Sequence, residues 1–204
     1  MTGLRERQKA DRTRRILEAA STLFRAQGYD AVRIEDIAAA AEVSSGTCYN
    51  YFSTKGDILL AIVSMEVEEV VEAGESVVAD PPPDIAQALD ALIRIYYNHS
   101  LHYLSKAMWR TAMALSIGAP GTPFSQRYTA LDGLLAGQVC ALIAALRQRG
   151  LAREDFDVQA MGQIIFSSLN QLFMEFVKQD EMALSDLHRS SAAQTAALAM
   201  LMRR

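Results

Sequence analysis

A helical pattern runs through almost the whole sequence and limits the possible folds more than any other feature. Only 11 glycines and 5 prolines interrupt its 204 residues. Alanine, leucine, methionine, glutamate and arginine are abundant, whereas no sustained alternation of β-branched residues indicates a strand. The sequence therefore predicts an all-α protein.

A few helix breakers divide this pattern into segments. Gly28 ends the first helix, because glycine tolerates the left-handed backbone that follows many helices. Three prolines at 81–83 end the fourth, and Asp84 can cap the next. A glycine- and proline-rich stretch at 118–123 is a loop. The predicted helices cover 9–26, 34–41, 45–51, 55–78, 85–100, a segment between a break at 99–103 and residue 116, 124–149, 156–179 and 184–202.

Charge is distributed unevenly along the chain. The total of 20 Lys and Arg against 24 Asp and Glu gives a formal net charge of −4. Residues 1–56 hold nine basic and seven acidic side chains, six of the basic ones within the first fifteen positions, whereas residues 57–204 hold eleven and seventeen. A basic head on an acidic body is typical of a nucleic-acid-binding protein, although a solvated basic helix face gives the same pattern. We predict domains 1–56 and 57–204.

The chain shows no pattern of a membrane or secreted protein. No stretch approaches the roughly 18 uninterrupted apolar residues of a spanning helix, and the first residues lack the apolar core of a signal peptide. Cys48 and Cys140 are too few for a disulfide framework. These features predict a cytoplasmic protein without a membrane partner, in which Cys48 is a small buried core residue.

Two short helices, 34–41 and 45–51, are separated by a brief turn with Ser44 as the natural cap. Cys48 and Phe52 lie one turn apart and face a small core, which leaves Tyr49 and Asn50 on the outer face. Small, polar and aromatic groups at the start of a short helix suit the major groove of DNA. Asn50 is the side chain best able to form paired hydrogen bonds with adenine.

The first 60 residues resemble the DNA-binding domain of the TetR family of bacterial transcriptional regulators. The matching positions are Thr13, Ile16, Ala19, Ala20, Leu23, Phe24, Gly28, Tyr29, Ile37, Ala38, Ala41, Val43, Ser44, Gly46, Thr47, Tyr49, Tyr51, Phe52, Lys55 and Leu59. This resemblance implies an N-terminal three-helix DNA-binding domain followed by a larger helical domain for effector binding and dimerisation. The implied DNA contacts are Ser44, Ser45, Gly46, Thr47, Tyr49, Asn50, Tyr51 and Lys55, with Tyr49, Tyr51 and Lys55 on phosphates.

Two features near this domain extend the interpretation. Val32 and Arg33 stand where family members commonly carry Thr or Ser, so Arg33 is predicted to replace the hydroxyl as a phosphate or base contact. The basic arm before the first helix is either a minor-groove contact or a disordered terminus. The sequence leaves that choice open.

Aromatic and methionine residues concentrate in the middle helices, as in the lining of many small-molecule sites. Taken singly, each residue of this kind is more often part of an ordinary core. The candidate ligand contacts are Tyr96, His99, Tyr103, Met108, Trp109, Met113, Phe124, Tyr128, Phe166, Asn170 and Phe173. An acidic run, Glu66 to Glu75, is assigned to the wet side of its helix. Small residues in the last two helices, together with Leu169, Phe173, Leu198 and Leu201, indicate a dimer surface there.

No pattern in the sequence indicates metal or catalytic chemistry. His99 and His102 are three residues apart but have no further ligand at a recognisable spacing. No nucleophile motif, glycine-rich phosphate loop or paired carboxylates occur, so no catalytic residue, metal or cofactor is predicted. We expect a homodimeric repressor that binds a pseudo-palindromic operator and is released by a small, largely apolar effector. The alternative is an all-α small-molecule-binding protein that does not bind an operator.

Overall fold

The protein is helical throughout residues 2–203, the part of the chain that the computed structural model describes. It contains nine α-helices and no strand over that range. The all-α prediction is confirmed. The helices are α1 Thr2–Gln27, α2 Ile34–Ala40, α3 Ser45–Tyr51, α4 Lys55–Ala79, α5 Ile85–His99, α6 Lys106–Gly118, α7 Pro123–Gln148, α8 Val158–Lys178 and α9 Leu184–Met202.

Side-chain caps fix several helix starts. The Asp84 side chain accepts a hydrogen bond from the Gln87 amide, as the sequence predicts for the start of α5. The Asp157 carboxylate accepts from the amides of Gln159 and Ala160, so α8 begins two residues later than predicted. A carboxylate cap supplies acceptors for amides that have no partner within the helix, which is why both helices begin where they do.

The prediction for the start of α1 is wrong. The helix begins at Thr2 rather than at residue 9. Residues 6–12 are all exposed, and the buried stripe of α1 starts at Ile16, so the apolar pattern gives no signal for the first turns. The predicted basic arm is therefore a helical extension of α1, although Met1 and the side chain of Arg5 lie outside the described residues.

Two compact units divide the chain. One contains the chain up to Met65 together with Tyr103–Tyr128, and the other contains Glu66–His102 together with the chain from Thr129 onward. The first unit includes α1, α2, α3 and α6. Within it, the buried Ser21 hydroxyl donates a hydrogen bond to the Tyr103 carbonyl. These compact units do not test the predicted boundary between a DNA-binding domain, 1–56, and an effector-binding domain, 57–204, which stays a prediction.

The core of the first unit brings α1, α2 and α3 together. Ile16, Phe24, Ile37, Cys48 and Phe52 are buried, as predicted for a small three-helix core. Leu23 and Val43, which were assigned to the same core, are only half-buried. The Cys48 thiol has a pKa raised by burial, which agrees with a packing role rather than a reactive one.

In the second unit, a buried polar network joins α4, α5 and α7. The Tyr96 hydroxyl donates to Gln138 Oε1 at 2.6 Å, and Gln138 Nε2 donates to the Val71 carbonyl at 2.7 Å. Gly74 gives Gln138 its space, because a β-carbon there would clash with the Gln138 side-chain amide, 2.8 Å from its Cδ, and would also lie 2.8 Å from Leu92 Cδ1. Burial raises the pKa of Tyr96, so its hydroxyl stays a donor.

α7 is long and apolar enough, by length and composition, to cross a membrane. The sequence analysis did not find such a stretch, because it counted uninterrupted apolar residues. Leu131, Val139, Leu142, Ile143 and Leu146 of this helix are buried inside the protein. A core helix can be as long and as apolar as a helix that spans a membrane, so these two properties are weak evidence for a span.

Candidate nucleic-acid interface

The turn between α2 and α3 is built from local hydrogen bonds. Ser44 Oγ accepts from the Thr47 amide at 3.1 Å and lies 2.8 Å from the Thr47 hydroxyl. Glu42 has φ = 54°, the left-handed region in which the chain reverses between the two helices. The predicted helix-turn-helix and its Ser44 cap are confirmed, and α3 is fixed at its first turn.

The outer face of α3 carries the residues predicted to contact DNA. Tyr49 and Asn50 are exposed, whereas Cys48 on the opposite side is fully buried. Gly46 is also exposed, and a β-carbon there would have no heavy atom closer than 4.0 Å. Ser45, Thr47 and Tyr51 are half-buried at the sides of this face. The structure therefore brings these six residues together on and beside one helix face.

A carboxylate that the sequence analysis did not single out lies beside this face. The Tyr49 hydroxyl donates to Glu35 Oε1 at 3.1 Å, and Arg33 Nε lies 3.6 Å from Glu35 Oε2. The pKa of Glu35 is lowered by a backbone hydrogen bond and by the Tyr49 hydroxyl, so the carboxylate stays charged. No spacing rule links residues 35 and 49, since they meet only when α2 and α3 pack together.

Arg33 lies at the start of α2 and has a largely exposed side chain. Its side chain accepts no capping hydrogen bond; instead, Asp36 Oδ2 accepts from the Arg33 amide at 2.9 Å. A guanidinium has no acceptor, so it cannot supply the hydroxyl cap that Thr or Ser provides. The side chain is left at the surface, where it pairs with Glu35.

Lys55 has a different environment from the one predicted. Its ammonium donates to the carbonyls of Tyr29, Asp30 and Val32 at 2.6, 3.1 and 3.0 Å. It also lies 4.5 Å from the centre of the Tyr29 ring. A lysine has three N–H donors, and all three are engaged by the loop between α1 and α2. The phosphate contact of Lys55 stays a prediction, and it would have to replace one of these bonds.

The candidate ligand contacts are divided between the two compact units. Tyr103, Met108, Trp109, Met113, Phe124 and Tyr128 belong to the first, and Tyr96, His99, Phe166, Asn170 and Phe173 belong to the second. Met108, Trp109 and Tyr128 are buried in the first unit, and Tyr96 and Phe173 in the second. Phe173 stacks on Tyr97 with ring centres 6.0 Å apart. Their assignment to one ligand site stays a prediction.

His99 contacts two carboxylates of α4. Its Nδ1 lies 2.8 Å from Glu66 Oε1 and its Nε2 lies 3.2 Å from Glu69 Oε2. Glu66 is buried, so its assignment to the wet side of α4 is wrong. Its spacing of four from Ile62 and three from Val63, both buried, was the signal that placed it on the inner face. Within residues 2–203, no group of three or more His, Cys, Asp or Glu is placed to hold a metal ion.

Taken together, a capped three-helix unit with a polar, exposed third helix defines a helix-turn-helix DNA-binding protein. A family model described as bacterial regulatory proteins, tetR family, matches residues 16–62. Residues 16–62 are thus a DNA-binding domain of the TetR family of bacterial transcriptional regulators.

Relatives of this family match most of the chain. The fatty acid metabolism regulator protein of Bacillus subtilis is 24% identical over 178 residues, covering 86% of this chain and 88% of that protein. A TetR transcription regulator from Haloarcula marismortui has a TM-score of 0.76 at 19% identity, over 96% of this chain and 100% of that one. Thermus thermophilus FadR, solved in complex with lauroyl-CoA, has a TM-score of 0.67 at 23% identity, over 92% and 93%.

Proposed function

We propose that this regulator is a homodimeric repressor, that it binds a pseudo-palindromic operator through α3, and that a small, largely apolar effector releases it. The observation that carries this proposal is the exposed face of α3, where Tyr49 and Asn50 point away from the buried Cys48. A helix docked in the major groove uses such a face to reach base edges.

The side chains on this face divide into two roles. Asn50 is exposed and makes no hydrogen bond to another described residue, so its amide is ready to pair with an adenine edge. Tyr51 and Ser45 offer hydroxyls to phosphates, Tyr49 and Thr47 can do so by exchanging their bonds to Glu35 and Ser44, and Gly46 lets the DNA backbone come close. Ser44 acts through its cap, which fixes the first turn of α3. Arg33 reaches the same surface from the start of α2.

Exposed apolar residues on the last two helices support the dimer. Ile164 on α8 and Met200 and Leu201 on α9 are 56%, 70% and 55% exposed. Leu169 and Phe173, which the sequence analysis assigned to this surface, are buried in their own protomer and pack elsewhere. Two helices from each protomer would form a four-helix bundle. A dimer is also what a short recognition helix needs to read enough sequence.

The effector proposal depends on the apolar residues around Trp109. Trp109 is the single tryptophan of the chain and is buried, so its fluorescence reports changes in its surroundings. Lauroyl-CoA is a suitable first probe, since it pairs an apolar chain with a charged head, and free coenzyme A is the matched control. A saturable change with the first and none with the second supports an apolar effector. Population shift then requires that the effector bind one conformer of the dimer better than the other.

The central test is selection of bound sequences from a random pool of duplex DNA by the wild-type protein, followed by binding of two variants to the selected duplex. Asn50→Ala is expected to lose its preference at one base pair in each half-site. Tyr49→Ala is expected to weaken all duplexes similarly, because a phosphate contact carries no sequence information. Tyr49→Phe separates the hydroxyl from the ring.

Two outcomes would contradict the proposal. If the selection returns no two-fold related sequence, the proposal of operator binding fails, and a helical small-molecule-binding protein becomes the better description. If Asn50→Ala weakens the selected duplex and random DNA equally, then Asn50 is not the base contact. Sedimentation of Leu201→Glu against wild type tests the dimer surface, where monomers are expected.

A further inference from the structure

The first turns of α1 form a charged helix that lies outside the packed core. Residues 6–12 are exposed on every side, before the first buried residue, Ile16. Among the described residues, no carboxylate pairs with Arg7, Lys9 or Arg12. The next two arginines are different: Arg14 pairs with Glu18 at 2.7 Å, and Arg15 lies 3.7 Å from Asp11.

This extension begins beside the turn that precedes α3. Arg15 Nη1 lies 3.9 Å from Glu42 Oε2, and Glu42 is in that turn. Residues of α1 from Arg15 to Leu23 line a shallow groove with Ala40, Ala41 and Glu42. The residues before Arg15 continue α1 beyond this contact, by about 13 Å for residues 6–14 at 1.5 Å per residue.

The N-terminal end of the chain is basic, whereas the rest of the chain is acidic. The first fifteen residues hold six basic and two acidic side chains, and the remaining 189 residues hold fourteen and twenty-two. Duplex DNA is repelled by most of such a surface. Attraction through released counterions must come from local basic groups. Arg7, Lys9 and Arg12, which have no carboxylate partner among the described residues, are one such group.

The helical form decides which part of DNA it can meet. An α-helix with its side chains is about 10 Å across, and the minor groove of B-DNA is about 6 Å wide. An extended arm fits that groove, but a helix does not. The phosphates along the groove edges remain accessible to its side chains.

We propose that residues 6–12 are a second DNA-binding surface that does not read sequence. Lys9 and Arg12 lie one turn apart on one side of the helix and bind backbone phosphates next to the base pairs contacted by α3, whereas Arg7, on the other side, adds its charge nearby. This inference rests on the operator binding proposed above. It adds a non-specific contact to a protein whose specific contacts are few, and it makes the helical extension, rather than Lys55, the main source of phosphate binding.

The test uses the full-length triple variant Arg7→Gln, Lys9→Gln, Arg12→Gln. Glutamine has nearly the same helix propensity as lysine and arginine, so α1 is expected to stay helical, which circular dichroism checks. Affinity is measured against salt concentration on two probes, the duplex selected by wild type and a random duplex of equal length. Each lost phosphate contact lowers the magnitude of the slope of log affinity against log salt by about 0.9. Loss of the four Lys9 and Arg12 contacts of a dimer is therefore expected to lower it by about 3.6, and loss of six contacts, with Arg7 included, by about 5.4.

Matched controls separate the local contact from total charge. Arg153→Gln, Lys178→Gln and Arg189→Gln remove the same charge from exposed ion pairs of the second unit, and this variant is expected to keep the wild-type slope. Arg7→Lys with Arg12→Lys keeps the charge and should also keep the slope. Affinity of the Gln variant should fall by the same factor, within about twofold, on both probes.

Three results would overturn the inference: a slope change below about 1, an equal change in the control variant, or a much larger loss on the selected duplex than on random DNA. These outcomes are distinct from failure of operator binding. If wild type does not prefer a selected duplex, the proposed function fails, whereas the salt slope on random DNA still measures the extension.

Discussion

The two compact units use polar side chains in opposite ways. In the first, the Tyr49–Glu35 and Ser44–Thr47 hydrogen bonds lie at the surface, and Asn50 is exposed. In the second, Tyr96 and Gln138 are buried and bonded to each other. Surface bonds of this kind orient groups for a partner, whereas buried ones fix how helices pack. The contrast predicts that polar substitutions in the second unit cost stability and those on α3 cost DNA binding.

The largest expected effect is in the buried network. Gln138→Ala removes the partner of the Tyr96 hydroxyl and of the Val71 carbonyl and leaves a cavity. We expect the free energy of unfolding to fall by about 3 kcal/mol. Urea denaturation measures it. The matched control is Gln148→Ala at the exposed end of the same helix, which should change stability by less than about 0.5 kcal/mol. Similar values for both variants would remove the contrast between buried and exposed polar groups.

The next effect concerns two lysines of the first unit. Lys55→Met removes three hydrogen bonds from an ammonium to loop carbonyls and is expected to cost about 2 kcal/mol of unfolding free energy. Lys9→Met removes an exposed and unpaired ammonium, so it should leave stability unchanged and lower the salt dependence of DNA binding instead. If Lys55→Met keeps wild-type stability and weakens DNA, then Lys55 is a phosphate contact after all.

A third test uses pH. Burial raises the pKa of Asp132 on α7 to about 6, from an ordinary value of 3.8. The folded state therefore binds a proton more tightly than the unfolded state, and stability falls as pH rises from about 4 to 6 and stays lower above that range. Asp132→Asn should flatten this slope and raise stability at pH 7.5 by about 1–2 kcal/mol. Thermal unfolding at pH 4.5 and 7.5 measures both effects, and an equal pH slope in the variant would exclude Asp132 as its source.

The smallest effect is a gain. Glu42 adopts φ = 54°, where a side chain costs energy that glycine avoids. Its carboxylate contributes little in return, since it is 87% exposed and 3.9 Å from Arg15. Glu42→Gly is expected to stabilise the protein by about 0.5–1 kcal/mol. Glu42→Gln keeps the β-carbon and should give no gain; a gain with both would mean that the charge, and not the backbone, is responsible.

Local rules predicted the parts of the fold that depend on neighbours in sequence. Ser44 and Asp84 cap their helices as expected, and α9 has the predicted bounds because Leu184 to Met202 forms an uninterrupted pattern. The start of α1 was not predicted, because residues 2–8 contain no apolar stripe that would indicate a helix. Helix assignment by periodicity fails where a helix is exposed on all sides, as at residues 6–12.

The candidate interface was predictable in its membership but not in its bonds. Tyr49 and Asn50 follow from the position of Cys48 on a helix. The acceptors for Lys55 come from a loop 23 to 26 residues earlier, and the pairing of Tyr49 with Glu35 spans 14 residues. Residue type suggested a phosphate contact for Lys55, because an exposed lysine near DNA is a common case. Only the packed structure shows which carbonyls it binds.

The Tyr96, Gln138 and Val71 triad also has a mechanical consequence. Gln138 contacts α5 through one end of its amide and α4 through the other. Sliding any one of these three helices by a single turn, about 5.4 Å, would separate at least one donor from its acceptor, and Tyr96 and Gln138 are both buried side chains for which such a loss is costly. These two hydrogen bonds therefore oppose sliding of α4, α5 and α7 past one another, and we expect the three helices to move together.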